Sequence, residues 1–345
     1  MFENFWGNRH AVRALQQMIA LERIPQTLLF SGPEGVGKAT LARRFGEALL
    51  PHPEKIELDD LSRADRQEEI AAREKLSADK RNDVPLQFAS HADFVTFAPD
   101  GPLRQLTIPQ MRALKEQAQF RPHAGSRRIF LIDQIDRANE QAANSLLKIL
   151  EEPPPHLILI ATAQNAYDLL PTIRSRSMLL AFSPLSNADM RAFAAARGLA
   201  DVDRRIALSA GSPGLALRLD LPVFEKRRQA MHVLLQVAAG ASPFSAWLPY
   251  SEAIGRSKNE KLEIYLRLLY ELLRDVMLLA AGATEIRNTD MRRELTALST
   301  RVSTEWIAGM VKQVDELQML LRRNIQKVIA LDALILSQSA ATASL

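Results

Sequence analysis

The sequence predicts an α/β fold: a mostly parallel sheet covered by helices on both faces, then an all-helical C-terminal region. Three observations carry this. A short apolar run, Thr27-Leu-Leu-Phe-Ser31, feeds a glycine loop and then a helical pattern. Apolar runs of strand length alternate with helical spacings up to about residue 183. From Pro222 onward, apolar residues recur at threes and fours almost throughout.

The first strand is expected at 27–31. Ala39 to Leu50 has helical spacing, with Leu41, Phe45 and Leu49 on one face. Residues 54–83 break the rhythm. Seventeen of these thirty are charged, with both signs mixed, so the segment is expected to be an exposed helical insertion and a solvated excursion. Leu58, Leu61, Ile70 and Leu76 are too sparse for a strong core face. The alternation then resumes. A strand is expected at Asp93–Phe97, a helix at Ile108–Gln119, and a buried strand at Arg128–Asp133 that ends in an acid. A helix at Asn139–Glu151 is stopped by Pro153-Pro154-Pro155. Strands follow at Leu157–Thr162 and Met178–Phe182. Ser186 caps a short helix to Ala195, and Arg204–Ser209 reads as another. In the last third, Leu262, Leu266, Leu269, Leu273 and Val276 form one helical stripe, and Ile307, Val311, Val314, Leu317 and Leu321 a second. Such stripes mean core or a partner helix rather than a cofactor box.

Composition narrows the classes. There is no cysteine, which excludes disulfides and thiolate zinc sites. The six histidines have no ligand-like spacing. No apolar run reaches the roughly 18 residues a membrane helix needs. With no basic-then-apolar leader at the N-terminus, a cytoplasmic location is expected. The net charge of +4 reads as an ordinary mixed surface and does not establish nucleic-acid binding.

The central motif is Gly32-x4-Gly37-Lys38, with Gly35 between. Glycines let backbone N–H groups curl around phosphate oxygens, and the following helix presents the positive end of its dipole. Lys38 would reach the outer phosphates. One departure follows at once: the next residue is Ala39, where a magnesium-binding hydroxyl is expected, and a methyl group cannot replace it. Thr40 lies one position on, turned ~100° around the helix. Asp133 stands where an acid near magnesium is expected. The residue after it is Gln134, whose amide can orient water but cannot take its proton at neutral pH. Farther on, Leu170-Pro-Thr-Ile-Arg-Ser-Arg176-Ser177 carries an arginine that could stabilise charge at a neighbour's nucleotide. On local sequence alone, an ordinary surface arginine is the simpler account.

Together, Gly32-Pro-Glu-Gly-Val-Gly-Lys38, Arg128-Ile-Phe-Leu-Ile-Asp-Gln-Ile-Asp136, Asn144-Ser-Leu-Leu-Lys-Ile-Leu-Glu-Glu-Pro-Pro154 and Leu170-Pro-Thr-Ile-Arg-Ser-Arg176 resemble the bacterial DNA polymerase III delta-prime family. That family lies in the clamp-loader branch of the AAA+ ATPases. The match is dense over residues 1–222, and Asn324–Leu336 resembles the last helix of the family's collar. The resemblance implies a RecA-like module (1–183), a small helical lid (184–222) and a helical collar that oligomerises (223–345). It implies a hetero-pentamer with delta and gamma/tau subunits that places a sliding clamp on primed DNA, with no membrane involved. It also implies that Arg176 serves the ATP site of an adjacent subunit, with Ser177 in place of the family's cysteine. Gly32, Gly35, Gly37, Lys38, Thr40 and Asp133 would form a nucleotide site for ATP or ADP that is weak or absent. Zinc, held by four cysteines in many members, is expected to be missing. The lid arginine that senses nucleotide is expected to be missing too, with Leu215 at its place in Gly211-Ser-Pro-Gly-Leu-Ala-Leu217. These departures imply lost hydrolysis. Two alternatives stay open: an active ATPase subunit of the same loader, and a small-molecule kinase using the same loop.

Overall fold

The computed structural model describes residues 2–257, 260, 262–320 and 326–342. Leu321 and Asn324, named above for the second stripe and the last collar helix, lie outside these residues. The chain divides into two compact units, Met1–Leu217 and Arg218–Leu345. The expected boundary at 183/184 therefore falls inside the first unit.

The first unit opens with α1 (Arg9–Ala20), then β1 (Thr27–Ser31) and α2 (Lys38–Glu47). Two short helices of the insertion follow, α3 (Ala64–Arg73) and α4 (Ala78–Asp83). Next come β2 (Phe88–His91), β3 (Phe94–Phe97), α5 (Ile108–Ala118), β4 (Arg128–Ile132), α6 (Glu140–Glu151) and β5 (Leu157–Ala163). After them come α7 (Pro171–Ser175), β6 (Met178–Ala181), α8 (Asn187–Ala196), α9 (Val202–Ser209) and α10 (Pro213–Arg218). The six strands form one sheet in the order β2-β3-β4-β5-β1-β6. All pairings are parallel except β2 with β3.

The expected alternation of strands and helices is what the sheet contains. Its central strands are apolar on both faces because both are covered: β5 is buried at all seven positions. One face packs Leu29, Phe130 and Leu159 against Leu114, Leu146 and Leu150 of α5 and α6. The other packs Leu28, Phe30 and Ile160 against Leu15 of α1 and Leu41 and Phe45 of α2. Three elements were not legible. The amphipathic α1 has no capping side chain to announce it. Strand β2 is a four-residue antiparallel edge with a register shift. Helix α7, a single turn with proline at its start, follows Leu170 where no element was expected.

The insertion at 54–83 is helical and largely exposed, as expected, but it is also pinned to the sheet. Arg73 donates to Asp100 through Nε (2.9 Å) and Nη2 (2.6 Å). Asp59, fully buried, accepts from the Ser90 backbone at 2.7 Å and from Arg66 at 3.1 Å. Arg43 of α2, also buried, reaches Asp60 at 2.6 Å. Ile70 joins Leu86, Phe88 and Ala98 in a small apolar cluster. The charges nearest the sheet pair with one another, while most of the others in the segment are exposed.

The second unit is all helical. Its helices are α11 (Leu221–Ala238), α12 (Leu248–Arg256), α13 (Leu262–Ala280), α14 (Arg292–Ser299), α15 (Thr304–Leu320) and α16 (Lys327–Thr342). Both predicted stripes point into its core: Leu266, Leu269, Leu273 and Val276 pack with Ile307, Met310 and Val314. Among the described residues no helix is long and apolar enough to cross a membrane.

A glycine loop and an arginine on opposite rims of the sheet

Parallel strands put their C-terminal ends on one rim, where ligands meet loops rather than sheet. The glycine loop leaves β1 there and Asp133 leaves β4 there. Gly37 caps α2 at φ 96°, and Gly35 sits at φ 74°, both in the region that favours glycine. A Cβ at Gly35 would lie 2.3 Å from Ser212 Oγ, and one at Gly32 would lie 2.2 Å from the Phe182 carbonyl oxygen. The loop therefore requires glycine for its shape and for the close approach of its neighbours.

Lys38 is buried and turns back on the loop, donating to the Gly32 carbonyl at 2.5 Å and the Pro33 carbonyl at 2.7 Å. Burial pushes its ammonium pKa below the usual lysine value, and the nearby carboxylates of Asp133, Asp136 and Glu34 oppose that shift. Ala39 packs against the apolar cluster under α2, and Thr40 is half-buried one position on. Asp133 Oδ1 accepts from Thr162 Oγ1 at 2.6 Å, and Gln134 Nε2 donates to Oδ2 at 3.4 Å. The Gln134 backbone N–H also donates to Thr162 Oγ1, at 2.9 Å, with Gln134 at φ 55°. Asp136 is pushed upward by burial, and its Oδ1 meets no hydrogen-bond partner among the described residues.

The lid closes on this loop through backbone contacts. Gly214 N donates to the Gly35 carbonyl at 2.9 Å, and Ser212 Oγ to the Glu34 carbonyl at 2.8 Å. A Cβ on Gly214 would come 3.0 Å from both Gly35 Cα and its carbonyl oxygen. The lid residues hydrogen-bonded to the loop are thus Ser212 and Gly214, next to the Leu215 that the resemblance sets at the sensor's place. None of the three supplies a guanidinium. The second glycine in Gly211-Ser-Pro-Gly214 was the available signal. At the N-terminus, the Phe5 ring lies over Gly37, 2.9 Å from where a Cβ would stand. No pattern in the sequence pointed to Phe5 or to Thr162.

The residues present fit a phosphate better than a catalytic metal. The glycine cradle and Lys38 suit an anion at a helix start. The position for a metal-binding hydroxyl holds a methyl group, and the position for a water-activating carboxylate holds an amide.

Arg176 is elsewhere. It ends α7 just before β6, and β6 runs parallel to β1 with Met178 opposite Leu28 and Ala181 opposite Ser31. It therefore stands at the N-terminal rim, whereas the glycine loop begins beyond Ser31 on the C-terminal rim. The three steps from Met178 to Ala181 alone span about 10 Å. Arg176 Nη2 pairs with Glu151 Oε1 at 2.9 Å, and Nη1 donates to the Thr172 carbonyl at 3.2 Å. Ser177 Oγ donates to the Ile173 carbonyl at 2.8 Å, closing the turn. Arg174 covers the ring of the exposed Tyr167 at 4.8 Å. The structure thus brings together Gly32, Gly35, Gly37, Lys38, Thr40 and Asp133 on one rim and leaves Arg176 apart from them.

The family model described as "DNA polymerase III, delta subunit" matches residues 7–186. The DNA polymerase III subunit delta' of Escherichia coli (strain K12) is 27% identical over 233 residues, covering 66% of this chain and 68% of that protein. The subunit delta' of Pseudomonas aeruginosa is 30% identical over 226 residues, 63% of each chain. The DNA polymerase III subunit tau of Bacillus subtilis (strain 168) is 27% identical over 187 residues, 54% of this chain but 30% of tau. The chain thus spans under a third of the tau length that it resembles.

Proposed function

The chain belongs to the DNA polymerase III delta subunit family, and on that premise we propose that it is a non-hydrolysing, delta-prime-type subunit of a sliding-clamp loader. It completes a ring of five with delta and gamma/tau subunits in the cytoplasm, and it lends Arg176 to the ATP site of a neighbour. The ring then places the clamp on primed DNA.

The observation that carries this reading is the separation of Arg176 from the chain's own glycine loop. An arginine on the N-terminal rim cannot serve a phosphate cradled on the C-terminal rim of the same sheet. Only an adjacent subunit can bring a nucleotide to it. Loss of turnover rests on Ala39, Gln134 and Leu215, three independent departures around one loop. Backbone N–H groups of the glycine loop and Lys38 would hold the phosphates of ATP or ADP, weakly, because Lys38 must first leave the Gly32 and Pro33 carbonyls. A bound nucleotide would supply charge and shape at this rim, not chemistry.

The second reading is an active ATPase subunit of the same loader. Similarity to tau relatives and the intact glycines favour it. The purified chain decides between them. The proposal expects no magnesium-dependent ATP hydrolysis above background, and little more on Ala39→Thr with Gln134→Glu while Gly214 faces the loop. Appreciable hydrolysis by the unaltered chain would overturn it. In a loader reconstituted with clamp and primed DNA, Arg176→Ala should lower stimulated ATPase activity at least tenfold.

A further inference from the structure

We propose that Glu151 is the positioning residue for Arg176, holding its guanidinium in the geometry it offers to the neighbouring subunit. This rests on the proposed trans role of Arg176. Glu151 is the last residue of α6, where the negative end of the helix dipole disfavours a carboxylate. Its placement is therefore not explained by the helix it closes. Its partner is a guanidinium at the end of a different helix, with Nη2 to Oε1 at 2.9 Å.

Both ends of that pair are held rigidly. Leu146, Ile149 and Leu150 bury α6 in the same apolar cluster that takes Ile173 of α7. Past Glu152, Gln26 Nε2 donates to the Pro153 and Pro154 carbonyls at 3.3 and 2.9 Å, which ties the proline bend to the segment before β1. Arg176 is held on its other nitrogen by the Thr172 carbonyl. Two of the five guanidinium N–H donors are used in this way, which leaves three for a ligand. The Arg176 side chain is 34% exposed and that of Glu151 51%, so the pair faces outward, where a second chain can reach it. An arginine on a one-turn helix with no carboxylate beside it would sample many rotamers, and a group offered across an interface gains from being ordered beforehand.

The test uses the reconstituted loader with clamp and primed DNA. Glu151→Ala should lower the stimulated kcat about fivefold, the population change that an exposed ion pair controls, with KM for ATP unchanged. Glu151→Gln, which keeps an acceptor oxygen, should recover part of the loss. In an Arg176→Ala background, Glu151→Ala should have no further effect. Thermal melting of the single variants, with the assembled complex confirmed by gel filtration, checks that the fold and ring persist. If Arg176→Ala cripples the loader while Glu151→Ala does not, Arg176 needs no positioning and the inference fails alone. Additive losses, or a rise in KM, would also overturn it, because Glu151 would then act elsewhere. If Arg176→Ala leaves the rate unchanged, the trans role fails and this inference with it.

Discussion

At the scale of single residues, small changes of chemistry decide what the glycine loop can do. Ala39 keeps the helix start and removes the metal ligand. Gln134 keeps the hydrogen bond to Asp133 and removes the base. Gly214 lets the lid rest on the loop. Its replacement measures the closeness of that contact: Gly214→Ala should gain roughly 0.5–1 kcal/mol of helix propensity. It should also lose about 1–3 kcal/mol from the Cβ forced against Gly35. A net destabilisation of about 1 kcal/mol by urea titration is expected, and a stabilised variant would show that the lid does not rest there. His232, buried in the second unit, has both ring nitrogens without partners among the described residues. Burial lowers its pKa, Arg228 adds to that, and Glu294 opposes. The unfolded chain therefore takes up the proton first, so stability is lost as pH falls below about 6.5. His232→Leu should flatten the urea midpoint between pH 7 and 5.5, where the unaltered protein declines.

At the scale of elements, the charged insertion shows what composition leaves out. Counting charges predicts a solvated segment, but pairing them depends on which lie opposite one another in space. Arg73 and Asp100 form a two-point pair with little exposure on either side. Removing one partner leaves the other buried, so Arg73→Ala should cost about 3 kcal/mol. The exposed Arg63–Asp65 pair should show no measurable change on Arg63→Ala. Equal losses in chemical denaturation would contradict the view that burial, not pairing, separates them. Where the insertion meets α2, burial and the neighbouring Glu57 push the Glu47 carboxyl up to about 7. The folded state thus holds a proton that the unfolded chain has released above its usual value near 4.5. Stability should fall as pH rises from about 4.5 to 7 and level off above. Since these carboxyls are partly exposed, the change should be about 1 kcal/mol. Glu47→Gln should abolish it.

At the scale of the whole molecule, the two units have separate cores. Leu29, Phe130 and Leu146 belong to the first and Leu266, Met310 and Leu331 to the second. Fragments 1–217 and 218–345, made separately, should each unfold in one cooperative transition by circular dichroism. A fragment that stays unfolded would mean its core is incomplete without the other. The sheet itself gives the molecule a direction. Because its central strands are parallel, the glycine loop and Asp133 gather on one rim, and Arg176 with Glu151 stands on the other. In the ring proposed above, one subunit's arginine would face the next subunit's nucleotide.

The sequence by itself determined the α/β order, the glycine loop, the losses at Ala39 and Gln134, and the helical stripes of the last third. Each of these is a local matter of residue type and spacing. Tertiary structure alone decided the rest. It ordered the insertion, because Arg73 meets Asp100 only after β3 and α3 are placed. It set Ser212 and Gly214 against the glycine loop from far along the chain. It joined Glu151 to Arg176, twenty-five positions apart, through the packing of α6 on α7. Contacts between distant residues leave no period in a sequence, so only the folded chain can reveal them.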